Sequence, residues 1–363
     1  MGLNEKFFKS ADSVINPRDH FNTVLFTGNN STNVITTVGF QPDLSWFKNR
    51  QAGNSNALVD SVRGRSKVLF SDTVTGDSTS DSNKDLVSFD TNGFTLGAVQ
   101  RANSFNKVDA ANNIVAWNWY APTSQTIGAS GSRLASTIKK NVTAGFSIVN
   151  YTGGGGAATV GHGLNSAPEM YIVKSRGHQT SWYTYHIGLD ASSPEDYNVR
   201  LNETSARQDS ASYWNDTAPT SSVFSIGTTT GISQSSTDFI TYCFHSVEGY
   251  SKIGSYSGNG TNQTIDVGFT PQFVMIKNST QTSAYASWIM FDSKRLVAYN
   301  DTNPLYANKS VAEGTRGNGT GDGDVLEIIF VTDTGFKLGD ASRDNGSDET
   351  NNNNETYIYY AIA

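Results

Sequence analysis

Acid–base and nucleophilic chemistry need histidines, carboxylates and hydroxyls brought together, and this chain offers few candidates. Its histidines are His20, His162, His178, His186 and His245. No Gly-x-Ser-x-Gly elbow and no His-Glu-x-x-His helix accompanies them, so neither a nucleophilic triad nor a zinc-activated water has motif support. His162 lies in the turn Gly161-His162-Gly163, and His186 follows the aromatic run WYTY, so both suit structural roles. Glycoside hydrolysis would need a carboxylate pair, for which Asp60, Glu203, Asp292 and Glu327 are the candidates. Asp60 and Asp292 hold the same place in two similar segments, DSVR and DSKR, where a turn residue is as natural as an acid. The residues read as non-enzymatic.

Binding chemistry has more material. Trp182, Tyr183, Tyr213 and Trp214 crowd the middle of the chain, and aromatic faces of this kind stack on sugar rings. Trp214, in SYWNDTAPT, is expected in a loop and is the leading residue of this candidate glycan site. The alternative for all four is core packing, because aromatics favour strands and alternate inward. Asp322 and Asp324, in the glycine-rich GNGTGDGDVLE, could supply oxygen ligands to calcium, although their spacing is not that of an EF-hand and a solvated turn accounts for them as well. No other cofactor is indicated.

The elements that position these residues are predicted to be strands. Gly, Ser, Thr and Asn separate short apolar runs, and only 16% of the 363 residues are charged, a mix expected of an all-β protein. The net charge of -7 and scattered Lys and Arg leave no basic stripe for nucleic acid. The single cysteine, Cys243, has no partner for an intrachain disulfide. No apolar stretch suggests a signal peptide or a membrane helix, which predicts folding in a cytosol and no membrane insertion.

An ordered series of motifs recurs three times. A strand ending in a glycine turn comes first (TVLFTGNN, SIVNYTGG, KIGSYSGNG), with Gly28, Gly153 and Gly258 equivalent at shifts of 125 and 105 residues. Val-Gly follows, then a proline (Pro42, Pro168, Pro271), an apolar run, and a lysine (Lys48, Lys174, Lys277) expected to mark the return to solvent. The proline suits a strand entrance because it fixes φ and donates no ladder hydrogen bond. Each series closes on an apolar strand: IVAWNW, FITYCF and YIYYAIA. A period of about 105 residues matches a whole domain better than a solenoid repeat. The prediction is therefore three tandem antiparallel β-sandwich domains, jelly-roll or lectin-like, each burying its own core. The expected boundaries are an N-terminal arm at 1–20, sandwiches at 21–120, 144–250 and 251–363, and a Ser/Thr/Gly-rich linker at 121–143 with a short helical turn at RLASTIKK.

NVTAGFSIVNYTGGGGAATVGHGLNSAPEMYIVKSR, with GFQPDLSWFKNR, DSVRG, SFDTNGFTLG and WNDTAPTSSVFSIG, resembles a repeated β-rich domain of virion structural proteins of marine, cyanophage-type bacteriophages. The similarity covers Phe21 to Ala363, and the third copy departs most, through NPLYANKSVAEGTRGNGTGDGDVLEI and DASRDNGSDETNNNNET. The resemblance implies a non-enzymatic virion protein, made in the bacterial cytoplasm and exposed on the particle as a capsid decoration or a head- or tail-attached block. Its partners would be other virion proteins. Members are also taken for tail fibre or lectin-like proteins, so a receptor-binding role toward a host surface glycan is the alternative. No catalytic residues come with the resemblance. Phe7 and Phe8 in the N-terminal arm are the candidate virion anchor, and the polar surface is compatible with a homotrimer.

Overall fold

The computed structural model describes residues 15–98, 105–107, 113–295, 304–315, 328–332, 334–339 and 349–363. The molecule is all-β: strand accounts for 43% of residues and helix for 6%, in several antiparallel sheets with no barrel. Three large sheets and three three-stranded sheets carry the architecture. In the first large sheet the opening strand Phe21–Phe26 pairs with the closing strand Ile114–Trp119. The closing strand then pairs with the middle strand Leu44–Asn49, which pairs with the return strand Ala57–Asp60, followed by Lys67–Phe70 and Ser78–Thr79. The third large sheet repeats this order with Ser251–Ser257, Thr356–Ile362, Phe273–Asn278, Trp288–Asp292 and Leu305–Tyr306. The second does so with Phe146–Thr152, Asp238–Phe244, Met170–Ser175, Tyr183–His186, Tyr197–Arg200 and Gln208–Asp209.

Side-chain alternation along these strands shows where the apolar surface goes. On the closing strands Val115, Trp117 and Trp119, then Ile240, Tyr242 and Phe244, then Ile358, Tyr360 and Ile362 all enter one common cluster. The intervening residues face three separate outer clusters, each shared with a three-stranded sheet: Ile114 and Ala116, Phe239 and Cys243, and Tyr357, Tyr359 and Ala361. Both faces of each large sheet are thus buried, which is why the strands read as continuous apolar runs although their pairing is antiparallel. The centre is close-packed. The void among Trp46, Trp119, Phe273, Tyr360 and their neighbours is only ≈ 20 Å³, room for about one water, and its lining is apolar, so it offers a water no hydrogen-bond partners.

Two expectations are corrected by this arrangement and one is extended. Each copy does bury a core of its own between its large sheet and its three-stranded sheet, but the inner face of each large sheet is buried as well, against the other two. Residues 121–143 are not a linker. Thr123–Ile127 and Ser136–Asn141 form a hairpin that extends the second large sheet, and Arg133–Leu134 joins its three-stranded partner. Alternation of Thr, Ser and Ile suits a strand, and the glycines between them serve the turn, so RLASTIKK is extended and not helical. Finally, Lys48, Lys174 and Lys277 do not return to solvent; all three are fully buried.

The recurrent glycines are explained by close approach. A Cβ on Gly28, Gly153 or Gly258 would sit 2.1–2.3 Å from the backbone oxygen of Lys107, Gln234 or Asn352, in the segment leading to the closing strand. Gly39 and Gly268, after the repeated valine, instead supply φ of 94° and 84°, which other residues rarely adopt.

Candidate functional site

The aromatic candidates prove to be core. Trp182 and Trp214 are fully buried and Tyr183 nearly so. Trp214 lies on the short helix Ala211–Trp214, packs edge-on against Tyr171, and donates from Nε1 to the Tyr197 carbonyl at 2.9 Å. Tyr213 is half-buried beside Tyr183 and donates its hydroxyl to Gln208. No flat aromatic platform for a sugar is left here: the loop around Trp214 is short enough to fold the ring back under the sheet. All six tryptophans of the chain are buried. Asp322, Asp324, Glu327, Phe7 and Phe8 lie outside the described residues. Among the described residues no three His, Cys, Asp or Glu side chains are grouped to hold a metal ion.

What the polar residues do instead is join the sheets, and they do it cyclically. Asp60 and Asp292 end the return strands of the first and third large sheets, opposite Leu44 and Phe273; His186 holds the same register position in the second, opposite Met170. Asp60 accepts from the Tyr242 hydroxyl of the second sheet at 2.8 Å. His186 meets the Tyr359 carbonyl of the third sheet at 3.1 Å. Asp292 accepts from Trp117 Nε1 of the first sheet at 3.0 Å. The three contacts close a ring.

Two further rings run in the same sense. At the start of each return strand, Asn56 Nδ2, Trp182 Nε1 and Trp288 Nε1 donate to the carbonyls of Tyr306, Phe70 and Arg200, at 3.0, 3.1 and 3.0 Å. Those acceptors are themselves register equivalents, facing Ile289, Ala57 and Tyr183. Beyond the buried lysines, the carbonyls of Arg176, Ser279 and Arg50 accept from the backbone N–H of Asp77, Arg207 and Glu313 at 2.8, 2.8 and 2.6 Å. Each sheet therefore presents its return edge to the next, a head-to-tail contact that closes after three steps.

Charge fills two of the three junctions in the same way. Between the first and second sheets the order is Asp60–Arg63–Asp77–Arg176, with contacts of 2.6, 3.0 and 2.9 Å. Between the third and first it is Asp292–Arg295–Glu313–Arg50, opening with contacts of 2.5 and 3.0 Å and ending on an Arg50–Glu313 pair. Asp60 and Asp292 also accept backbone N–H groups two and three residues on, which makes each an Asx-type turn. Burial works against the charge on Arg63 and Arg295, but neighbouring carboxylates prevail and raise both above the usual arginine value. The third junction has His186 in place of the aspartate, and Arg207 turns back to Asp190. The repeated DSVR and DSKR spacing was the signal for this network, but a single strand of text does not show which sheet the pair would face.

The buried lysines and histidines are matched to backbone groups. Lys174 Nζ donates to the carbonyls of Val74 and Thr180, and Lys277 Nζ to those of Asn278 and Ala286. Burial pulls Lys48 and Lys174 down to about 8 and Lys277 to about 7. His186 accepts the Gly188 N–H on Nδ1, which leaves Nε2 protonated toward Tyr359. His162 is held likewise between the Leu164 N–H and the Thr220 carbonyl. Burial lowers both rings to about 4. A histidine depressed in the folded state leaves stability intact above its unfolded value of about 6.5 and drains it as pH falls toward 4, because the unfolded chain takes the proton first. The urea midpoint is therefore expected to fall between pH 7 and pH 5, and His186→Gln, which cannot titrate, to lessen that fall. An equal fall in the variant would show that His186 is not a source of it.

Two clefts open at the junction of the first and second sheets, on either side of the Arg176–Asp77 pair. One, of ≈ 360 Å³, lies between the Thr123–Ile127/Ser136–Asn141 hairpin and the turn at Ser61 and Val62. The other, of ≈ 550 Å³, runs past Ser55, Thr73 and Gly177. No curated protein and no solved structure matches the chain. One family model does, across residues 16–363, so that a single family unit runs through all three large sheets and their junctions. The chain belongs to the DUF7483 family, described as a domain of unknown function.

Proposed function

We propose that this chain is a non-enzymatic structural protein of a bacteriophage virion, a rigid block exposed on the particle as a capsid decoration or a head- or tail-attached appendage. The observation that carries the reading is the closed ring of equivalent junctions. Residues that could have served catalysis, Asp60, Asp292, His186 and the buried lysines, are held in contacts within and between the sheets. Glu203, the other described carboxylate candidate, is bound by Ser181, Ser205 and Arg200. The sequence resemblance points to virion proteins, and three similar sheets around one core give a single chain the outline of a trimer. Such a block suits a local three-fold position, where its unequal outer loops would meet unequal neighbours. Cryo-electron microscopy of the intact particle tests this. Density for the three-sheet body on the shell or at the head–tail junction is the expected result, whereas purified particles that lack the chain altogether would overturn it.

A further inference from the structure

The smaller cleft exists because the second large sheet outruns the shared core. Among the described residues its extra hairpin, Thr123–Ile127 with Ser136–Asn141, has no counterpart in the first or third large sheet, whose opening strands are edges. Over the core the inner face of the second sheet is apolar, with Ile148, Ile172 and Tyr242. Beyond the core the same face turns polar. Thr126 is paired with Thr137, Ser124 with Lys139, and Thr137 in turn with Asn150, so these side chains share one face. Strand geometry spaces such groups by about 7 Å along and about 5 Å across the sheet, the scale on which a sugar ring presents its own hydroxyls.

We infer that this cleft is a binding site for an uncharged, polyhydroxylated ligand, a short saccharide segment. The charge balance selects that class. Lys139 is paired with Asp43 at 2.9 Å and Arg176 with Asp77 at 2.9 Å, so neither cation is free for a phosphate or a sulfate, while the hydroxyl and amide groups between them can both donate and accept. Ser124, Thr126 and Thr137 are exposed on this face, Val62 lines its far side, and the facing pair Gln125 and Ile138 turns to the opposite side of the sheet, so the lining is mostly polar. A volume of ≈ 360 Å³ is at the small end of ligand sites, which start near ~300 Å³. Without an aromatic platform the affinity per site is modest, with a Kd on the order of 1 mM, and display of many copies on one surface would raise it. The inference rests on the cleft alone and stands or falls independently of the virion reading.

Saturation-transfer NMR on the full chain tests it, with lactose, maltose and N,N′-diacetylchitobiose as probes and inorganic phosphate as competitor. At least one sugar is expected to give transfer at about 10 mM, unaffected by phosphate. The Thr126→Val/Thr137→Val double variant keeps the strand shape on an exposed face and is expected to weaken that binding at least about tenfold, or about 1.4 kcal/mol. Ser124→Val, on the same face as Thr126 and Thr137, is a second, independent lesion for use if the double variant misfolds. No transfer from any of the three sugars, transfer that survives the variants, or displacement by phosphate would each overturn the assignment.

Discussion

Asp292→Ala is expected to destabilise the protein by about 3–5 kcal/mol, the usual result of removing one partner from a buried ion pair. Asp292 is 1% exposed and Arg295 5%, so the stranded guanidinium cannot reach bulk water. Glu313 remains beside it, but Trp117 Nε1 and the backbone N–H groups of Lys294 and Arg295 all lose their acceptor. Because Trp117 belongs to the first sheet and Asp292 to the third, the loss acts on the junction and not on one sheet alone. Asn at this position keeps an acceptor oxygen for the turn and is expected to recover part of the loss. Chemical denaturation of the two variants reads both effects, and an alanine variant within about 0.5 kcal/mol of the parent, the range of ordinary surface changes, would remove the ring from the account.

Trp182→Ala is expected to cost a similar amount, about 3–5 kcal/mol for a buried tryptophan truncated in a core. The indole is fully buried, and its Nε1 bridges to the carbonyls of both Phe70 and Thr73 in the first sheet. Trp182→Phe separates the two contributions: it keeps most of the packing and forfeits the hydrogen bonds, worth about 1 kcal/mol net. Were Trp182 a sugar-stacking residue on a free surface, both variants would leave stability unchanged. A drop in thermal midpoint for alanine larger than for phenylalanine is the signature of the junction role.

Much of the layout is legible in the sequence because it is local. The three valine-glycine-proline-lysine series mark middle strands, and the three closing strands are continuous apolar runs with high β-propensity; these are where the structure places them. Trp46, Trp117 and Trp119 stand within those apolar runs and lie in the common cluster. What the text does not carry is partnership between distant segments. Lysine at a strand end looks like a return to water, yet Lys277 ends under the Asn278 and Ala286 carbonyls because the neighbouring sheet covers it. Trp214 sits among Asn, Asp, Thr and Pro, the composition of a surface loop, and is buried by a four-residue helix that composition does not announce. Continuous apolar strands are compatible with one buried face or with two; only the common cluster of Trp117, Tyr242 and Tyr360 shows that the inner faces of the three large sheets meet.

A shared core makes the three large sheets one cooperative unit, and differential scanning calorimetry of the full chain measures this most directly. One transition is predicted, with calorimetric and van't Hoff enthalpies equal and, for a chain of this length, on the order of 250 kcal/mol. Separate transitions, or a van't Hoff enthalpy near a third of the calorimetric value, would mean that each sheet pair folds by itself and would contradict the closed ring.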